Sequence, residues 1–389
     1  MNKNSTDTFK CPNKAREAFF KKVNNCYWNP KLTINTLPDG DRTVVALDTI
    51  ENDEPLVILN ANTYFGKDKA IKYSVEDINI LDEGLFLPAY LYQFYTKHTL
   101  KCPPGYDHYF NALPTYEWYA ENHEVLKIYT SLNPSEQEKA NENFLIIKKI
   151  NLLITWIKTI LNHTVDIEQA IRSVFICSTR TWHVGLVPWI DFFNHSYNGS
   201  SLTNEATTIK ATHAYEKNEE VNTTYGLKDS LELLNTYGFC AKQKTIAIPF
   251  LPISSFCAAL SSDLKKYGQF TEGNQFLVNK TLHNIDHLIA HFRLCVLDKK
   301  DIFFIDDIAK DFKVLINIDN EHRAIKLLLL CIKALNEKTK KTKEKLIQIT
   351  GVLPDKYEKE ISVKHEILKK LKEKIYVYWM KLLDDSLTQ

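Results

Sequence analysis

The sequence predicts an α+β protein in which two β-rich halves flank a helical insertion and an all-α lobe closes the chain. Three observations predict this. Short β-rich runs, Thr43-Val44-Val45-Ala46-Leu47 and Leu56-Val57-Ile58-Leu59, flank the acidic turn Glu51–Glu54. A similar arrangement recurs at Thr208–Thr212, Glu216–Glu220 and Val221. Between them Ile146, Ile150, Leu153, Ile157 and Ile160/Leu161 repeat at three- and four-residue steps, the period of an amphipathic helix. Beyond about Ile248 strand signals fade and helical patterns take over.

These patterns divide the chain into a first β-rich half (1–114), a helical insertion (115–170), a second β-rich half (171–245) and a helical lobe (246–389). A length of 389 residues has room for two or three cores. The N-terminal Met1–Asp7 lacks the apolar core of a signal peptide. Leu145–Leu161, the most apolar helical region, carries Lys148, Lys149 and Lys158, which argues against a membrane span. A net charge of +1 sets up no field that would gather nucleic acid or an anionic membrane. The eight cysteines include no CxxC pair, so free thiols in a reducing compartment are expected, cytoplasmic or nuclear, and no metal site. A monomer is expected.

In the last lobe Asp319 reads as the N-cap of a helix carrying Ile325, Leu328, Leu329, Ile332 and Leu335. Lys338, Lys340, Lys341, Lys343 and Lys345 then form a solvated face, and a final amphipathic helix spans about 362–383. The acidic turns at 51–54 and 216–220 read as polar connections between strands.

The chemistry-bearing segments lie at 186–239. The apolar run Leu186–Phe193 reads as a strand and ends in Asn194-His195-Ser196. Val221-Asn222-Thr223-Thr224 ends in Tyr225-Gly226, and Asn235-Thr236-Tyr237-Gly238 follows. A glycine after Tyr225 permits a sharp bend that leaves the phenol facing a cavity. In combination, these segments resemble the SET-domain methyltransferases, most closely the non-histone branch typified by the Rubisco large-subunit methyltransferase. His108–Pro114, Ser178–Trp182 and the Asn320-Glu321 start of a long helix extend the resemblance from about residue 36 to the end.

That resemblance implies a SET fold and S-adenosylmethionine as cofactor. It places Asn194 on the amino-acid end of the cofactor and the backbone of His195 at its adenine. Arg180 would line the pocket and pair with the carboxylate, with Asp191 and Phe192 forming a wall. Tyr225 would be the catalytic tyrosine, and Tyr237 would pack over the cofactor or the target. Methyl transfer is an in-line displacement, so positioning carries most of the rate, about 7–11 kcal/mol at best. A target lysine must also lose its proton, which an aromatic, poorly hydrated channel favours. Trp182, Trp189, Phe192, Phe193, Tyr225 and Tyr237 supply aromatic surface. The implied activity is methylation of a lysine on a non-histone protein docked on the helical lobe.

The chain departs from the family at its glycine-rich cofactor turn. Gly40 remains, but Asp41 and Thr43 stand at glycine positions, with Arg42 between them. Such a turn survives if only ordinary backbone angles are needed at 41 and 43. Arg42 and Thr43 therefore join the candidate cofactor residues. The alternatives are a histidine methyltransferase of the same fold, a non-catalytic SET-like module that binds a partner protein, and an α/β domain with a coincidental Asn-His-Ser. The last predicts that Asn194 and Tyr225 lie far apart.

Overall fold

The computed structural model describes residues 11–387 apart from 39, 61, 98–100, 142–143, 204–206, 250, 252–274, 283–284 and 299–313. Cys257 and the Met1–Asp7 stretch lie outside the described residues. The chain mixes helices with short strands and divides into two compact units. One comprises Met1–Gly226 with Asn235–Gly238, the other Leu227–Leu234 with Phe239–Gln389.

In the first unit the predicted strands form as Arg42–Ala46 and Pro55–Ile58, each within a residue or two of expectation. They belong to different sheets. Arg42–Ala46 pairs antiparallel with Leu32–Thr36, while Pro55–Ile58 lies between Tyr27–Trp28 and Thr208–Lys210. The segment before Tyr225 runs beside Arg42–Ala46: Val221 N–H donates to the Val44 carbonyl at 2.8 Å, and Ala46 N–H to that of Glu219 at 3.0 Å.

The helical insertion has clear local causes. Asn133 and Glu136 form a reciprocal capping box on Pro134–Ala140, with bonds of 3.0 and 2.9 Å. Asp166 caps Ile167–Arg180 by accepting from Gln169 N–H at 3.1 Å. The stripe Ile146, Ile150, Leu153 and Ile157 is buried on Leu145–Thr159, while Ile160, just past its end, is exposed. Helices also occupy the half expected to be β-rich, at Lys67–Tyr73, Phe86–Thr96 and Tyr106–Ala112. Phe86–Thr96 buries Phe86, Pro88, Ala89, Tyr90, Leu91, Tyr92 and Gln93. Burial on nearly every side removes the amphipathic period by which a helix is recognised.

The run Leu186–Phe193 is not a strand. Only Gly185–Leu186 pairs, with Thr181–Trp182, and the chain then turns through Trp189 at φ +71° into a 3-10 turn at Ile190–Phe192. A left-handed tryptophan is strained. It is held by complete burial, with its ring 6.0 Å from Phe19, 5.7 Å from Tyr109 and 5.1 Å from Phe192.

The second unit is not all helical. Thr245–Pro249 and Gln275–Asn279 pair antiparallel, with Thr245 opposite Asn279 and Pro249 opposite Gln275. Ile246, Ile248 and Val278 from this strand pair join Phe292, Leu328, Ile332, Leu368 and Leu371 in one core. The two long helices run Ile318–Thr350 and Asp355–Leu387. The first is capped by Asn317, which accepts from Asn320 N–H at 2.7 Å, rather than by Asp319. Ile325, Leu328 and Ile332 face the core as the periodicity predicts, and the five lysines between 338 and 345 are exposed.

Residues 227–234 and 239–245, grouped by the sequence with the motif-bearing half, pack in this second unit. Asp229 pairs with Lys364 at 2.5 Å, and Thr245 N–H donates to the Ser230 hydroxyl at 3.3 Å. Among the described residues the cysteines form no disulfide. No described helix is long and apolar enough to cross a membrane.

Candidate functional site

Asn194-His195 and Thr223–Tyr225 lie side by side, which removes the coincidence reading. Thr223 N–H donates to the Asn194 carbonyl at 2.9 Å, and Tyr225 N–H to His195 Nδ1 at 3.1 Å. Ser200 pairs with the same segment from its far end: its N–H donates to the Asn222 carbonyl at 3.0 Å, and its carbonyl accepts from Thr224 N–H at 2.9 Å. Gly226, at φ +91°, makes the predicted bend directly after the tyrosine.

Tyr225 is held at both ends. Its hydroxyl donates to the Phe193 carbonyl at 2.7 Å, and its ring lies 5.2 Å from His195 and 4.8 Å from Tyr237. Burial pushes the Tyr225 phenol well above its ordinary value and that of Tyr237 to about 12, so both stay protonated at neutral pH.

Asn194 presents a defined polarity. Its Nδ2 donates to the Arg42 carbonyl at 3.0 Å and to Glu220 Oε1 at 2.9 Å. Both partners are acceptors, so the nitrogen must face them and Oδ1 must face away. No donor among the described residues meets Oδ1. The Thr43 hydroxyl donates to the same Glu220 Oε1 at 2.7 Å. In the sequence Glu220 reads as part of a polar turn, and nothing local marks its place here. Its partners lie 26 and 177 residues away, where no local pattern reaches them.

The glycine turn keeps its left-handed residue where one is needed. Gly40 sits at φ +80°, whereas Asp41, Arg42 and Thr43 are not left-handed, so their side chains cost no strain. Arg42 is buried and its Nη1 donates to the Ala112 carbonyl. Its guanidinium lies 5.1 Å from the Phe192 ring, and that of Arg180 5.6 Å from it. Burial, then repulsion by Arg180, lowers the Arg42 pKa to about 9.

Arg180 and Asp191 differ from expectation. Arg180 Nη1 donates to the Asp191 carbonyl at 2.7 Å and lies 3.3 Å from its carboxylate, so its near partner is within the protein. Tyr109 donates to Asp191 Oδ2 at 3.1 Å, while Oδ1 is buried with no partner among the described residues. Burial pushes the Asp191 carboxyl up, against the pull of Arg180. Phe192 is 2% exposed and Trp189 and Phe193 are 0% exposed, so these rings are core rather than channel wall. Trp182, Tyr225 and Tyr237 are the partly exposed aromatics of the motif segments. Among the described residues no group of three or more His, Cys, Asp or Glu side chains is placed to hold a metal ion.

Arg180 thus pairs with a buried carboxylate and shares the Phe192 ring with Arg42, near an amide oxygen without a donor and a pair of neutral phenols. Such a set suits a zwitterionic ligand: guanidinium for a carboxylate, amide oxygen for an ammonium, aromatic faces for a further cation.

No family model matches the chain, and no curated protein matches it. Among solved structures it is similar to the SET domain of LSMT bound to lysine and AdoHcy, at 18% identity over 95% of this chain and 92% of that one, with a TM-score of 0.45. It is similar to Rubisco LSMT bound to sinefungin and monomethyllysine, at 17% identity over 98% and 92% with a TM-score of 0.46. Rubisco LSMT bound to AdoMet gives 18% identity over 95% and 93%, with a TM-score of 0.45.

Proposed function

We propose that the protein is an S-adenosylmethionine-dependent protein N-methyltransferase acting on a lysine side chain of a non-histone protein. The observation that carries this reading is the junction of Asn194, His195 and Tyr225. An amide acceptor and a hydrogen-bonded phenol, from segments about thirty residues apart, meet at one crossing of extended backbone.

The residues present fit the cofactor. The Asn194 oxygen suits its ammonium and the backbone at His195 its adenine, while the buried guanidiniums of Arg42 and Arg180, engaged by the Ala112 carbonyl and by Asp191, lend positive charge toward its carboxylate. When bound, S-adenosylmethionine supplies an electrophilic methyl on a sulfonium. Tyr225 contributes orientation: its proton is committed to the Phe193 carbonyl, and a phenol oxygen is the kind of acceptor that suits weak C–H···O contacts. Tyr225 and Tyr237, with rings 4.8 Å apart, give the approach aromatic faces, which favour the neutral amine of an incoming lysine, whose ordinary pKa is about 10.4. That preference supports lysine over histidine, because imidazole is already neutral near pH 7 and gains little from desolvation. The ordinary backbone at Asp41 and Thr43 supports a working cofactor turn over a non-catalytic module. In this reading the protein substrate docks on the helical lobe, where Tyr376, Val377 and Met380 stay exposed on one helix.

The test is incubation with methyl-labelled S-adenosylmethionine and cell lysate, followed by mass spectrometry of labelled proteins. Methyl-lysine formed by the wild-type protein and strongly reduced with Tyr225→Phe supports the proposal. Label on histidine supports the same fold with the other substrate. Absence of any label above a protein-free control contradicts it.

A further inference from the structure

We infer that Glu220 is a positioning residue that fixes the Asn194 amide with its oxygen toward the ligand, holding it jointly with Thr43. The inference rests on the methyltransferase reading and assigns the determinant of cofactor orientation at the same site.

The argument begins with a symmetry problem. The two ends of a primary amide differ little in shape but have opposite hydrogen-bonding character. An asparagine that faces a ligand ammonium helps only with oxygen forward. With nitrogen forward, it sets two donors against a cation. The orientation must therefore be decided by what lies behind the amide. At Asn194 two acceptors lie there, the Arg42 carbonyl at 3.0 Å and Glu220 Oε1 at 2.9 Å. A single main-chain acceptor would leave the second amide hydrogen unsatisfied in this half-buried place. The carboxylate completes the pair with a charge-assisted bond, the stronger kind.

Glu220 is itself held. Thr43 Oγ1 donates to the same Oε1 at 2.7 Å, and the backbone at Glu220 forms an antiparallel bridge with Val45. Thr43 stands on the strand Arg42–Ala46, so one carboxylate oxygen ties the cofactor turn to the Asn-His segment. A glycine at 43 could not make that bond. The hydroxyl gives this chain an anchor in place of the backbone freedom that glycine would supply.

Calorimetric binding of two probes tests the role: S-adenosylmethionine, and 5′-methylthioadenosine, which lacks the amino-acid end. Glu220→Ala should weaken S-adenosylmethionine roughly five- to a hundredfold. It should change 5′-methylthioadenosine by less than about twofold, which also certifies the fold. Glu220→Gln should bind both like wild type, because its amide oxygen can accept from Thr43 and Asn194 alike. Thr43→Val, a mild change on a strand, should cost S-adenosylmethionine a few-fold and spare the shorter probe.

Equal loss of both probes in Glu220→Ala would make the residue merely structural and overturn the role. Unchanged binding would do the same. So would a Glu220→Gln variant as weak as the alanine, because the charge itself would then be what the ligand reads. Wild-type protein that binds neither probe would overturn the methyltransferase reading and this role with it. Wild-type binding followed by any of the preceding results would overturn the role alone.

Discussion

The hydroxyl of Tyr225 donates to the main-chain carbonyl of Phe193 at 2.7 Å, so the candidate catalytic phenol is locked to the backbone one residue before Asn194. The bond sets both the direction and the depth of the ring. Tyr225→Phe deletes it while keeping the ring between His195 and Tyr237. Methyl transfer should then fall on the order of a hundredfold through loss of orientation, with S-adenosylmethionine affinity nearly intact. Single-turnover rates measured beside binding constants check this. Equal loss of rate and affinity would point to a tyrosine that only supports the fold.

Asn194→Ala removes the one amide acceptor that faces the site and leaves the Arg42 carbonyl and Glu220 without its two donors. Binding of S-adenosylmethionine should weaken by about 1–3 kcal/mol. Titration calorimetry reads this directly, and unchanged affinity would take Asn194 out of the site.

How much of this was legible in the sequence depended on the distance over which each feature is decided. The Ile146–Ile157 stripe is decided within a few helical turns, and it appears where the pattern puts it. The Asn194–Tyr225 junction was legible only through the order of its motif segments. Glu220 was not legible, because its hydroxyl and amide partners come from strands and turns far along the chain. The strand Gln275–Asn279 escaped because a single short strand is specified by its partner, Thr245–Pro249, more than by its own composition. The turn at Trp189 escaped because burial among Phe19, Tyr109 and Phe192 outweighs the extended preference of an apolar run.

The Arg180–Asp191 pair gives a prediction on stability. Asp191 has 1% side-chain exposure and Arg180 16%, and Tyr109 also depends on the same carboxylate. Asp191→Ala strands a guanidinium that already shares the Phe192 ring with Arg42. The loss should reach about 3–5 kcal/mol, read as a lower urea midpoint at unchanged slope. A loss below about 1 kcal/mol would mean that water reaches Arg180 freely.

The second unit carries its own pH dependence. His291 is buried beside Phe276 and Phe292, and its Nε2 accepts from Leu251 N–H at 3.3 Å, which only the neutral ring can do. Burial lowers its pKa from 6.5 to about 4. The unfolded chain therefore binds this proton more readily than the folded one. The stabilisation is fully present above pH 6.5 and is lost as pH falls toward 4, by roughly 2–4 kcal/mol. Chemical denaturation between pH 7 and 4.5 should show this slope in the wild type and a shallower one in His291→Gln. Identical slopes would place the acid sensitivity elsewhere.

The central claim is that a sulfonium nucleoside binds where residues 194 and 225 meet. Calorimetric titration of wild type and Asn194→Ala with S-adenosylmethionine tests it most directly. Saturable one-to-one heat in the wild type, weakened in the variant, is the predicted result. Heat that is absent at millimolar ligand, or identical in the two proteins, would contradict it.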